Sequence, residues 1–232
     1  MDHRFGVRLL AALLPAALLL PAAAHADQVT VDDAVGDAKA VNMALAFGEL
    51  FDGSTAEGPI LLDAPAETST DVVRTTIDHA RKRLTLTVQF RDLVAATGRS
   101  VEFRIITPAG RYALGVQEMA GRTRADLYPL GRRDSSVVVS DDGSVTVTLT
   151  DEPKPCRTVR ARYDMVADTL TASAPTSCLG SPKWVQVSAG VSRTQVTPQP
   201  DGSANIAGYA DDAFRGSLSE NSLGRSPKVR RG

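Results

Sequence analysis

Carboxylates offer the first chemistry in this chain. Asp32, Asp33 and Asp37 fall within six positions, and Gly36 lies among them. Glycine permits the sharp turn that would gather such side chains. Asp71 opens a segment that reads as a strand and can pair beside them. Calcium takes about six to eight oxygens, from carboxylates and backbone carbonyls alike. Asp32, Asp37 and Asp71 are therefore candidate calcium ligands. The competing reading makes Asp32 and Asp37 turn residues that accept backbone N–H bonds. The D-x-D-x-D-G…E spacing of an EF-hand is absent.

Other chemistries find less to work with. His3 and His25 fall in a leader-like segment, which leaves His79 as the one histidine of the remaining chain. A multi-histidine zinc site cannot be built on that count. His79 is followed closely by Arg81, Lys82 and Arg83, and it is expected to be exposed in a charged turn. No Gly-x-Ser-x-Gly elbow, Gly-rich phosphate loop or dinucleotide fingerprint occurs. Nothing in the spacing singles out a glycosidase pair of acids. No catalytic residue is assigned. Trp184, the one tryptophan, reads as a core plug; the sharper alternative is a ligand-binding platform that stacks on a sugar.

Residues 1–26 have the anatomy of a signal peptide. Arg4 and Arg8 precede an apolar run from Leu9 to Leu20, too short to span a bilayer. Ala24 and Ala26 supply the small residues for cleavage before Asp27. The mature chain is expected to be secreted, with no membrane span after cleavage. Cys156 and Cys178 are the only cysteines, and in an exported protein they are expected to form a disulfide. The net charge of −1 lacks the basic excess of a nucleic-acid binder.

The elements that must position these groups are strands. Asp71–Leu93 reads as a hairpin in which Val73, Thr75 and Ile77 alternate, then Leu84, Leu86, Val88 and Phe90. Period 2 marks strands with one buried face. The same alternation runs through Val101, Phe103 and Ile105, through Tyr112, Leu114 and Val116, and through Val185, Val187, Ala189 and Val191. Further strands are read at Val159–Tyr163 and Leu170–Ala174. Asp141-Asp142-Gly143 marks a hairpin turn between two more. About 9 to 11 short strands between turn signals predict an all-β antiparallel sandwich. The domain is expected to cover 27–196. Residues 38–66 give no clear pattern. Residues 197–232 are polar and end Lys228-Val229-Arg230-Arg231-Gly232; with little apolar surface to offset ordering entropy, they are expected to form a flexible tail.

Three stretches together resemble a family of secreted actinobacterial β-rich proteins without an assigned function. They are Asp32…Gly36-Asp37, Asp71-Val72-Val73-Arg74 with His79, and Cys156…Cys178-Leu179-Gly180-Ser181-Pro182-Lys183-Trp184-Val185-Gln186-Val187. The front half is also similar to β-sandwiches of the carbohydrate-binding family 9 and DOMON type. That resemblance implies a sandwich that binds sugar or haem, with calcium near the N-terminal acidic loop in some members. The chain lacks the paired tryptophans of a sugar clamp and a Met/His pair suited to haem. The combined expectation is a secreted non-enzymatic β-sandwich that binds or scaffolds at the cell envelope or outside the cell, its ligand unassigned, with cell-wall polymer or polysaccharide as candidate partners. The alternatives are a calcium-stabilised carbohydrate-binding module and a secreted hydrolase.

Overall fold

A computed structural model describes residues 27–43, 58–95, 98–119, 121–130, 135–139, 145–149, 156, 158–201, 204–219 and 222–232. The leader 1–26 and the Asp141-Asp142-Gly143 turn lie outside these residues.

Two antiparallel sheets share one core. The first orders β1 (Asp27–Asp32), β4 (Val72–His79), β5 (Arg83–Phe90), β12 (Thr169–Pro175) and β11 (Arg160–Asp164). The second runs β3 (Leu61–Asp63), β2 (Lys39–Val41), β14 (Ala204–Asp212), β13 (Trp184–Pro198), β6 (Arg99–Thr107), β7 (Gly110–Met119) and β8 (Arg122–Pro129). A short β15 (Val229–Arg230) pairs with β13. The hairpin of β9 (Ser135–Val139) and β10 (Val145–Leu149) stands apart from both sheets. The fold is the all-β antiparallel sandwich that the alternation predicts. Its strands exceed the expected number because β2, β3, β14 and β15 fall in stretches without a clear pattern.

Alternation places the core. Leu84, Leu86, Val88 and Phe90 of β5 meet Val101, Phe103 and Ile105 of β6 and Val185, Val187 and Ala189 of β13 in one buried cluster. One departure matters for the site. The register of β4 against β5 slips between Val72 and Arg74. Val73 is the extra residue of a bulge, so Val72 is buried with Thr75, Ile77 and His79. A one-residue insertion switches side-chain parity, and this one draws Asp71 and Val72 inward.

The expected flexible tail is a correction. β13 runs on to Pro198 and pairs with β14 over nine residues, and Ala213 and Val229 are buried. Ser226 and Val187 exchange hydrogen bonds of 2.8 and 3.0 Å, and the Gly232 amide donates to the His79 carbonyl at 3.2 Å. Backbone pairing and buried carboxylates order this segment, and an apolar count alone does not register them. The same segment corrects His79. It ends β4 fully buried, and its Nδ1–H donates to the Val229 carbonyl at 3.2 Å.

Cys156 and Cys178 form the expected disulfide, with Cα atoms 6.1 Å apart and a sequence separation of 22. Closing a loop of that size restricts the unfolded chain, by about 3 kcal/mol in the chain-entropy account. The Cys156→Ser/Cys178→Ser protein is expected to lose about that much, seen as a lower denaturation midpoint in urea with a steeper slope, because the freed unfolded chain exposes more surface.

Candidate metal centre

Five aspartates converge where the two sheets meet the N-terminal loop. Asp33 follows β1, Asp37 precedes β2, Asp71 precedes β4, and Asp211 and Asp212 end β14. Backbone pairing fixes each approach. The Asp33 amide donates to the Val73 carbonyl at 3.1 Å, on the bulge. Gly36 adopts φ +83°, a left-handed conformation that glycine takes without strain. Its amide then donates to Asp71 Oδ2 at 2.8 Å. Asp211 Oδ2 accepts the Val72 amide at 2.7 Å, tying β14 to β4.

Carboxylate oxygens of Asp33, Asp37 and Asp211 all lie within 4.8 Å of one another. Asp211 and Asp212 are wholly buried, as is Asp71. Asp33 Oδ2, both Asp37 oxygens and Asp71 Oδ1 are shielded from solvent and have no hydrogen-bond partner among the described residues. Direct cationic help is sparse. Arg91 reaches Asp71 Oδ2 at 3.0 Å, and Lys39, next to Asp37 in charge, is engaged by Asp63.

This crowding moves the protons. Burial raises the Asp33 carboxyl to about 7, opposed by the Ala34 N–H and reinforced by the charges of Asp37, Asp212 and Asp71. Burial raises Asp211 to about 8, against the Val72 N–H, with Asp37 and Asp33 adding repulsion. Asp37, Asp71 and Asp212 are also raised, each chiefly by burial. At neutral pH such a group must hold protons or a cation.

No protein-family model, curated protein or solved structure matches the chain. The assignment therefore rests on the donor set. All its atoms are hard oxygens, and nitrogen and sulfur are missing from it, which suits calcium or magnesium over zinc or copper. Irregular spacing across two separated segments favours calcium, which tolerates variable geometry.

The structure redistributes the predicted ligands. Asp37 belongs to the cluster. Asp32 does not: it points outward and accepts from Arg74 Nε at 2.6 Å. Asp71 stands behind the cluster, holding Gly36 and Arg91. Asp33 takes the place of Asp32, and a signal for this was present. Val29 and Val31 of β1 face inward, so period 2 turns Asp33 inward and Asp32 outward. Asp211 carries no such signal, because it ends a strand in the polar stretch 197–232, far in sequence from Asp33 and Asp37.

Trp184 is neither core plug nor free platform. It lies half-buried on the outer face of β13, with the Lys228 ammonium 4.4 Å from its ring centroid. A cation there occupies the ring face a sugar would need.

Proposed function

We propose that this protein is a secreted, non-enzymatic β-sandwich binding module whose fold is completed by one calcium ion held by Asp33, Asp37 and Asp211. One observation carries the reading: one Asp33 and both Asp37 carboxylate oxygens are buried without hydrogen-bond partners among the described residues, in a cluster that Asp211 completes. Calcium would supply the missing positive charge and join the N-terminal loop to the end of β14. Asp71 and Asp212 fix the backbone around it through Gly36 and Gly224. The resemblance of the front half to calcium-bearing sandwiches points the same way. Secretion is supported by the leader-like residues 1–26 and the disulfide. Among the described residues, no helix is long and apolar enough to cross a membrane.

A glycosidase is disfavoured by access. Both Asp37 carboxylate oxygens are shielded from solvent, whereas carboxyls that cleave glycosides must flank the scissile bond of a bound sugar.

The test is a thermal melt in excess EDTA and again in millimolar calcium. Calcium at about 100 times its dissociation constant adds roughly 2.7 kcal/mol to the native state. For a domain of this size that raises Tm by roughly 5–10 °C. Equal melts with and without calcium would sink the proposal.

A further inference from the structure

We infer that the outer face of the second sheet binds an anionic polysaccharide, in a groove one wall of which hangs from the aspartate cluster. The inference rests on the binding-module reading and names its ligand class.

The groove has a volume of about 890 Å³, within the range of small-ligand clefts. Its floor follows from strand register. Across β13, β6, β7 and β8 one row reads Ser188, Arg104, Ala113 and Tyr128. Ser188, Arg104 and Tyr128 line the groove, and Ala113 between the arginine and the tyrosine is covered. Pro129 and Leu130 continue on the β8 side.

The opposite wall is the segment Ser222–Arg225. Its position is set by Asp212. The Gly224 amide donates to Asp212 Oδ2 at 2.6 Å, and Arg215 donates to the Ser222 carbonyl at 3.2 Å. Leu223 covers Gly190, where an added Cβ would stand 3.3 Å from both its methyls. A Cβ on Gly224 would come within 2.8 Å of the Phe214 carbonyl, so only glycine lets the chain run this close. Asp212 adjoins Asp211, a proposed cation ligand. The ion and the wall therefore share one backbone corner.

Charge selects the ligand. Arg104 is engaged by Glu102 at 2.9 Å. Arg111 and Arg225 line the groove without a carboxylate partner among the described residues. Two unpaired guanidinium groups, with Ser188 and Ser222 hydroxyls and the Tyr128 ring, suit a chain that offers hydroxyls, apolar C–H faces and spaced anions. Guanidinium groups bind carboxylates through paired N–H donors. A uronate polysaccharide has all of these features.

The probe is hyaluronate oligosaccharide, in which uronate and neutral amino sugar alternate, measured against the full processed chain in calcium. Dextran and duplex DNA are the comparisons. Saturable binding to hyaluronate, with no retention of dextran, is expected. Arg111→Gln/Arg225→Gln should weaken it about tenfold or more without lowering Tm, since both side chains are exposed and unpaired. Arg81→Gln/Lys82→Gln, at the exposed turn between β4 and β5, should leave it unchanged. Loss through the Arg81/Lys82 variant, or equal binding of DNA, would show unspecific attraction and overturn the inference. So would absence of hyaluronate binding in protein that still responds to calcium. Groove binding that persists in a protein indifferent to calcium would instead overturn the cation proposal and leave the groove standing.

Discussion

Stripped of divalent cations, the protein is expected to lose stability steadily as pH rises from about 4 to about 8. The sign follows from the raised carboxyls. In the unfolded chain an aspartate ionises near its ordinary value of 3.8, whereas folded Asp33 and Asp211 hold their protons to about 7 and about 8. Between those limits the native state binds more protons than the unfolded state, so stability falls with rising pH. A carboxyl protonated only in the folded chain costs about 1.4 kcal/mol per pH unit. Asp211, wholly buried, dominates the slope, and partly solvated Asp33 adds less. Calcium competes with those protons. It should therefore stabilise strongly at pH 8 and little at pH 5. Melts across pH in EDTA and in calcium give the comparison; a metal-free protein whose stability climbs from pH 5 to 8 would show that the cluster is not under this strain. His79 works in the opposite direction. Burial lowers its pKa, so the unfolded chain takes up the proton first and stability is lost as pH falls below about 6.5. The two effects overlap below about pH 6.5, where His79 partly offsets the carboxyls, and His79→Gln separates them.

Arg99→Ala is expected to cost about 3–5 kcal/mol, the range for stripping one partner from a buried ion pair. Arg99 is the largest fully buried side chain. Its guanidinium meets Glu118 at 2.9 Å, Ser69 Oγ at 2.6 Å and the Val94 carbonyl at 2.7 Å. It also lies over the rings of Phe90 and Tyr163, at 5.8 and 5.4 Å. Truncation leaves Glu118 without its cation and the loop after β5 without its anchor. Arg99→Met keeps much of the volume and should lose less, because the aliphatic stem still packs between the rings. Chemical denaturation of both variants decides it. A clear loss in Arg99→Ala with none in Arg99→Met would mean that the pair contributes nothing beyond packing.

Alternation made most of the sandwich readable. The buried residues of β5, β6, β12 and β13 stand at the positions that period 2 assigns. The hairpin of β9 and β10 follows its Asp-Gly turn signal. Failures came where another force overrides alternation. Val73 is displaced by a bulge, which period 2 cannot foresee. β14 carries Ala, Gly and Asn, so its pairing energy lies in the backbone and leaves no apolar signature. Its Asp211-Asp212 ending looks like a solvated loop until Val72, Phe214 and Gly224 amides are found pointing at it. His79 reads as exposed beside three cations, yet β15 folds over it. The acidic site was half legible for the same reason. Its N-terminal half sits in one short motif, and its other half arrives from 174 positions later, counted from Asp37 to Asp211.

Calcium titration of the Asp37→Asn protein tests the central claim most directly. Both Asp37 oxygens lack hydrogen-bond partners among the described residues, so this change removes one ligand charge, keeping a neutral carbonyl oxygen, while sparing the scaffold. By calorimetry, the unaltered chain is expected to bind one calcium ion, Asp32→Asn to bind it equally, and Asp37→Asn to bind it about tenfold or more weakly. In EDTA, Asp37→Asn should melt no lower than the unaltered chain, because a crowded negative charge has gone. Calcium binding that survives Asp37→Asn unchanged, or an unaltered chain that takes up no calcium at pH 8, would contradict the account.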